Sequence, residues 1–148
     1  MADGVEWKKF GQWEMVGGFL NNLGERMEGA VAKATRINAA RVQRRLMLHL
    51  QRQDFVGSLW DPLEKGYRRK KVEEGYSGHV LIRTSSMMNS ISIEIEKGGM
   101  AAWVGINRTA KTADGKDLVN IAAVHEFGSE KAGIPARPLF RPTAKEME

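Results

Sequence analysis

Ile91-Ser92-Ile93-Glu94-Ile95-Glu96, then Lys97-Gly98-Gly99-Met100, then Ala101-Ala102-Trp103-Val104-Gly105-Ile106 is the stretch on which the fold turns. Isoleucine at every second position, alternating with serine and glutamate, is the period-two pattern of a strand with one face in a core. Lys97-Gly98-Gly99-Met100 reads as a turn and residues 101–106 as the returning strand. A lone hairpin is marginal in water, so this one is expected to pack on a helix and to pair with at least one further strand.

The helix lies upstream. From residue 18 to 50, apolar side chains recur near helical spacing: Leu20, Leu23, Met27, Ala30 or Val31, Ala34, Ile37, Val42, Leu46 and Leu50. That is an amphipathic stripe, with Arg36, Arg41, Arg44 and Arg45 mostly off it. No proline interrupts it, and at ~1.5 Å per residue it would extend about 50 Å, more than a domain of this size needs internally. Either Gly24 or Gly29 breaks it, or part of it lies against a neighbouring subunit. Ahead of it, Trp7, Phe10 and Trp13 come every third residue. They suit a short helix docked on its own core or an inter-subunit contact, where aromatic residues are enriched, with membrane-surface binding the minor option. Residues 1–17 are therefore a candidate docking arm on a single domain spanning 1–148.

Between helix and hairpin, Asp61-Pro62 suits a helix start, and the polar run from Glu64 to Glu74 suits a short, mostly solvated helix stopped at Gly75. Val80-Leu81-Ile82 is expected as a short buried strand. Thr84 or Ser85 is placed to cap a brief helix through Met88. Downstream, residues 107–117 are polar and contain the turn pair Asp114-Gly115, giving either a mobile loop or a second, protruding hairpin. Asp117 should cap a helix from Leu118 to Phe127 that closes at Gly128. Pro135, Pro138 and Pro142 should hold the next segment extended until a final helical turn from Thr143.

Bulk properties narrow the function. A chain of 148 residues with 42% hydrophobic content is sized for one core of its own. The lack of cysteine removes any disulfide framework and fits synthesis in a reducing cytoplasm. No apolar run approaches a membrane span, and residues 1–9 lack the character of a signal peptide. The net charge of +5 is partly clustered, in Arg41, Arg44 and Arg45 and in Arg68-Arg69-Lys70-Lys71. Such clusters can track phosphates through counterion release. However, Glu73-Glu74 follows the second cluster, and no aromatic platform interleaves the first. No nucleophile elbow or strand-following phosphate loop is present, so no catalysis and no cofactor is expected.

The C-terminal third carries the motif. Ala122-Ala123-Val124-His125-Glu126-Phe127-Gly128-Ser129 begins like a zinc-protease helix, yet the second histidine position holds Ser129, and Gly128 ends the helix first. His49 and His79 have no ligand at metal spacing, so no metal site is expected. Read with Ile134-Pro135-Ala136-Arg137-Pro138-Leu139-Phe140-Arg141-Pro142, the block closely resembles the signature of tail-completion or head-tail joining (neck) proteins of long-tailed bacteriophages, the virion morphogenesis family. Trp60, Pro62, Leu63, Tyr67 and Lys70/Lys71 fit a second block of that pattern, and Leu81, Thr84, Met88, Ser90 and Ile91 a third. Ser85 stands where glycine is usual, and Leu139-Phe140 is in exchanged order. The resemblance spans residues 55 to 145.

The residues thus read as an α+β fold: a long N-terminal amphipathic helix packed on a small antiparallel sheet, with short C-terminal helices and projecting loops. The resemblance implies a structural virion protein made in the host cytoplasm. It would form a ring, six-fold by analogy, at the neck or tail end, contacting connector or stopper proteins and the tail tube or tail terminator. DNA would meet it only in passing through the lumen, and no membrane is involved. Assembly-interface candidates are His125, Glu126, Phe127, Gly128, Pro135, Arg137, Pro138, Phe140 and Arg141. Phe127 is expected to anchor its helix to the core and Glu126 to pair with Arg137 or Arg141. Arg41, Arg44 and Arg45 are candidates for a basic face or lumen lining, and the loop 107–117 for contact with an adjoining ring. The alternative is a DNA- or RNA-binding protein that uses the arginine face of the long helix.

Overall fold

A computed structural model describes residues 11–55 and 58–148. In chain order the elements are α1 (Trp13–Arg52), β1 (Asp54–Phe55), β2 (Ser58–Leu59), α2 (Lys65–Glu73), α3 (Ser86–Asn89), β3 (Ile91–Ile95), β4 (Ala102–Ile106), α4 (Leu118–Phe127) and α5 (Phe140–Glu146). This is the α+β arrangement expected. Trp7 and Phe10, with most of the candidate docking arm, lie outside the described residues.

The hairpin forms as its pattern dictates. β3 and β4 pair antiparallel with Ile91 opposite Ile106 and Ile95 opposite Ala102, and Gly98 and Gly99 turn the chain at positive φ. Ile91 is buried in a core with Leu46, Leu50, Trp60, Val80 and Leu139, flanked by Val42, Val104 and Ile106. No third strand joins the pair among the described residues; β1 and β2 make a separate two-stranded ribbon. α1 takes the place of the missing strand as cover for one face. Gln43 Nε2 donates to the carbonyl of Ile91 at 2.8 Å, and Gly99 sits so close to Ala32 that an added Cβ would lie 2.8 Å from the alanine methyl.

α1 runs unbroken for 40 residues, about 60 Å at ~1.5 Å per residue, so neither Gly24 nor Gly29 interrupts it. The single stripe expected along it divides in two. Ala32, Thr35, Ala39, Val42, Leu46 and His49 face the body, and all of them are half-buried or buried. Val16, Leu20, Leu23, Met27, Ala30, Ala34 and Ile37 form another set at alternating steps of three and four, and every one is exposed. At ~100° per residue, roughly 160° separates the two sets where they run side by side, at residues 32–39. The outward set cannot reach the core that the inward set serves. Residues 11–31 contain no buried or half-buried position, so the first half of α1 projects from the body.

Other local expectations need correction. Val80-Leu81-Ile82 is a turn, with Leu81 at φ 59°, because side chains satisfy its backbone where a strand neighbour would have done so. Lys71 Nζ donates to the carbonyls of His79 and Ile82, each at 2.7 Å, and Gln53 bridges the carbonyls of Leu50 and Val80. α2 starts at Lys65 rather than at Asp61-Pro62. Asp61 instead offers its carbonyl to Arg137. α3 starts after Ser85, which lies at φ 58° and makes no side-chain cap. α5 starts at Phe140, three residues ahead of Thr143, with Pro142 in the first turn where a missing N–H costs nothing. α4 spans the residues read from the sequence, with Asp117 Oδ1 accepting from Val119 N at 2.9 Å.

Candidate functional site

α4 ends on a run whose last polar side chain points inward. Glu126 is buried, and its carboxylate gathers the first turn of α5. Oε2 accepts from Leu139 N at 2.6 Å and Phe140 N at 3.0 Å, and Oε1 accepts from Arg141 N at 2.9 Å. The first N–H groups of a helix have no partner inside it, and α5 has no side-chain cap at its own N-terminus. A carboxylate from another helix fills that role and faces the positive end of the α5 dipole. Arg141 completes the pairing: Nε donates to Oε1 at 3.3 Å and Nη2 to the Glu126 carbonyl at 3.2 Å.

The segment between the two helices is tied at each step. Gly128, at φ 77°, turns the chain with Ala136 N only 3.0 Å from where a Cβ would stand, so both its angle and its surroundings require glycine. Ser129 and Ile134 exchange two backbone hydrogen bonds, Ser129 N to Ile134 O at 2.8 Å and Ile134 N to Ser129 O at 2.9 Å, closing the loop between them. Arg137 N donates to the His125 carbonyl at 2.6 Å, satisfying one open acceptor at the end of α4. Arg137 is buried and its Nε donates to Asp61 O at 3.1 Å. Trp60 Nε1 donates to Pro138 O at 3.0 Å. The C-terminal block and the block at Trp60 therefore converge on one clamp.

Of the expected pairings for Glu126, the structure makes the one with Arg141 and not the one with Arg137. Phe127 does not anchor α4. It is 67% exposed, with the Arg141 guanidinium 4.6 Å above its ring, because its position turns away from the core once Glu126 points in. His125 lines a cavity of about 880 Å³ shared with Lys71, Tyr76, Ile121 and Arg137. Its Nδ1 is buried without a hydrogen-bond partner among the described residues. Burial, reinforced by the Arg137 charge, holds its pKa below the usual histidine value. Among the described residues no group of three or more candidate ligands could hold a metal.

The three arginines of α1 do not act alike. Arg41 and Arg44 are exposed, but Arg45 Nη2 pairs with Glu146 Oε1, and Glu146 Oε2 lies 2.9 Å from His49 Nε2. The Arg45 hydrogen bond outweighs desolvation and holds the Glu146 carboxyl below its ordinary pKa. The pair fastens the last turn of α5 to α1 and leaves a lumen or nucleic-acid face with one arginine fewer. Sequence reading missed Glu146, whose only signal is its place in the final amphipathic turn. Lys71, a position of the second motif block, lies in a run expected to be solvated but is buried against two carbonyls. Burial first, and Arg83 second, lower the Lys71 pKa.

Residues 107–117 form a hairpin-like loop rather than a simple protrusion, since Thr112, Asp114 and Lys116 line the cavity that His125 also lines. Lys111 and Asp117 pair across it, and Thr112 N donates to Lys116 O at 2.8 Å, with Asp114 and Gly115 at the tip.

The model of the phage virion morphogenesis family matches residues 12–147. An uncharacterized protein of Methanocaldococcus jannaschii is 32% identical over 91 residues, which is 60% of this chain and 59% of that relative's own length. No solved structure matches the chain.

Proposed function

The chain belongs to the phage virion morphogenesis family, a structural and assembly family, and from that membership we propose that it forms a ring at the head-tail neck or tail end of a long-tailed phage and joins the tail to the head connector. The observation that carries this reading is the projecting half of α1. Phe19 and Leu20 are 63% and 57% exposed, in a stretch of α1, residues 13–31, that has no buried or half-buried position. A soluble subunit seldom leaves such a face to water unless a partner takes it. Among the described residues no helix is long and apolar enough to cross a membrane.

In this reading the clamp formed by Glu126, Arg137 and Arg141 stiffens the body, so that surfaces on α1 and on the 107–117 hairpin keep fixed relative positions. The hairpin is the contact for the adjoining ring. Its polar, hydrogen-bonded tip presents Asp114 and Lys116 to a partner, with little ordering entropy left to lose. The connector or stopper lies on one side and the tail tube or terminator on the other. Ring closure follows from head-to-tail contacts between like subunits, six by analogy.

Light scattering across a concentration and salt series, with and without duplex DNA, tests the reading. A discrete multiple of 16.5 kDa, or a monomer that assembles only with tail or connector proteins, is the expected result. A monomer or dimer that ignores those proteins but shifts onto DNA at low salt would favour the nucleic-acid alternative, carried by Arg41 and Arg44.

A further inference from the structure

The outward stripe of α1 has a spacing, a composition and a pair of edges that together specify what covers it. Steps of three and four repeat every seven residues, the pattern that keeps a seam facing another helix over several turns. A helix partner is needed on energetic grounds as well. Gly17, Gly18, Gly24 and Gly29 lie in the projecting half, and an added Cβ at any of them meets nothing within 4 Å. Each costs about 1 kcal/mol relative to alanine in a helix. No buried contact offsets that cost between residues 11 and 31, and most helical stability in proteins comes from packing along one face.

The edges of the seam choose the partner. One edge is bulky, with Phe19, Arg26 and Lys33; the other is small or neutral, with Gly24, Val31 and Asn38. Placed parallel and in register, two copies of α1 set Phe19 against Gly24, Arg26 against Val31 and Lys33 against Asn38. Large side chains meet small ones and no like charges meet. Antiparallel packing over the same length sets Arg26 against the partner's Arg26, which is unfavourable. Rotation about one ring axis carries each helix onto its neighbour with the same polarity, so a ring supplies the favoured arrangement.

We propose that the projecting half of α1 is the contact between subunits, its bulky edge packed parallel and in register on the small edge of α1 from a second copy of this chain. The contact rests on the ring reading and gives it an interface. It is heterologous: each helix offers one edge to the subunit before it and the other to the subunit after it, so it can propagate until the ring closes.

The chain has no cysteine, which makes engineered cysteines clean reporters. Leu23→Cys should cross-link to itself on oxidation. The double variant Phe19→Cys, Gly24→Cys should give a ladder of covalent species ending at the ring number, since these two sites point too far apart on one helix to join each other. Leu20→Glu, Leu23→Glu and Met27→Glu together should reduce the assembled mass to one subunit at concentrations tenfold above those at which wild type assembles. The denaturation midpoint of the full chain at dilutions where wild type is a single subunit should not change, because none of the three touches the core. Assembly that survives all three glutamates, with Leu23→Cys failing to cross-link, overturns the stripe contact and leaves the ring reading standing. Cross-linking that stops at two subunits keeps the parallel, in-register pairing of the helices but overturns the heterologous contact and the ring with it. Wild type that keeps the mass of one subunit at every concentration, alone and with tail or connector proteins, overturns both.

Discussion

The two ends of this chain hold their helices in opposite ways. At the C-terminal end, α5 has seven residues, too few to persist alone, and it is secured by Glu126 at its start and by Glu146, Arg45 and His49 at its finish. At the other end, the first half of α1 is a long run with four glycines and no buried side chain. The short helix borrows its stability from polar contacts inside the same subunit. The long one has an apolar seam in search of the same support, and its stability should therefore depend on protein concentration. Polar anchoring fixes the shape of a subunit, whereas an uncovered seam makes that shape conditional on company.

Substitutions can break the comparison at either end. The largest effect is expected at Glu126→Ala, which leaves three backbone N–H groups at the start of α5 without their acceptor; the loss should be about 3–5 kcal/mol, from roughly 1–3 for each buried group left unpaired, read by urea denaturation, with Glu126→Gln recovering part of it. Leu50→Ala, in the buried half of α1, should cost about 2–5 kcal/mol at any protein concentration. Leu20→Ala on the same helix should cost no more than ~0.5 kcal/mol in the dilute subunit and more as concentration rises. Equal costs at the two leucines, independent of concentration, would erase the distinction between the halves. Trp60→Phe removes the donor to Pro138 O and should cost about 1–2 kcal/mol. Gly18→Ala and Gly29→Ala, both off the seam, should each stabilise by ~0.5–1 kcal/mol and raise helicity by circular dichroism.

The smallest effect is in pH. His125 has a lowered pKa in the folded state, so the unfolded chain binds its proton first as pH falls. Stability should start to decline as pH drops through about 6.5 and continue down to the lower folded value. Glu146, also lowered, adds a second decline below its ordinary carboxylate range, as acid protonates the unfolded carboxyl first and then the folded one. His125→Phe should flatten the upper decline and leave the lower, a difference that thermal melts across pH would resolve.

Legibility in the sequence followed the range of the forces involved. α4 could be read to the residue because Asp117 and Gly128 mark its ends locally, and the hairpin because alternation and a double glycine are adjacent signals. The Val80-Leu81-Ile82 turn was misread because three apolar residues in a row suggest a strand. Its actual satisfaction comes from Lys71 and Gln53, eight or more positions away. The missing third strand has the same origin: burial of the hairpin was inferred correctly, but α1 supplies it. In the clamp, the residue types were legible through the resemblance, while the work of Glu126 was not, since a carboxylate that caps a helix from thirteen residues away leaves no local mark. The two stripes of α1 looked like one because a hydrophobic count along a helix is blind to a change of face.

The contact of Gly99 with Ala32 has a consequence for distance. With no room for a side chain between them, the hairpin tip acts as a stop that fixes where α1 leaves the body, and everything before that point is free reach of about 28 Å for residues 13–31 at ~1.5 Å per residue. Adding or removing one seven-residue unit before Ala32 would lengthen or shorten that reach by about 10 Å with the seam still in phase and the body untouched. The projecting rod is thus a spacer whose length can vary independently of the module that carries it.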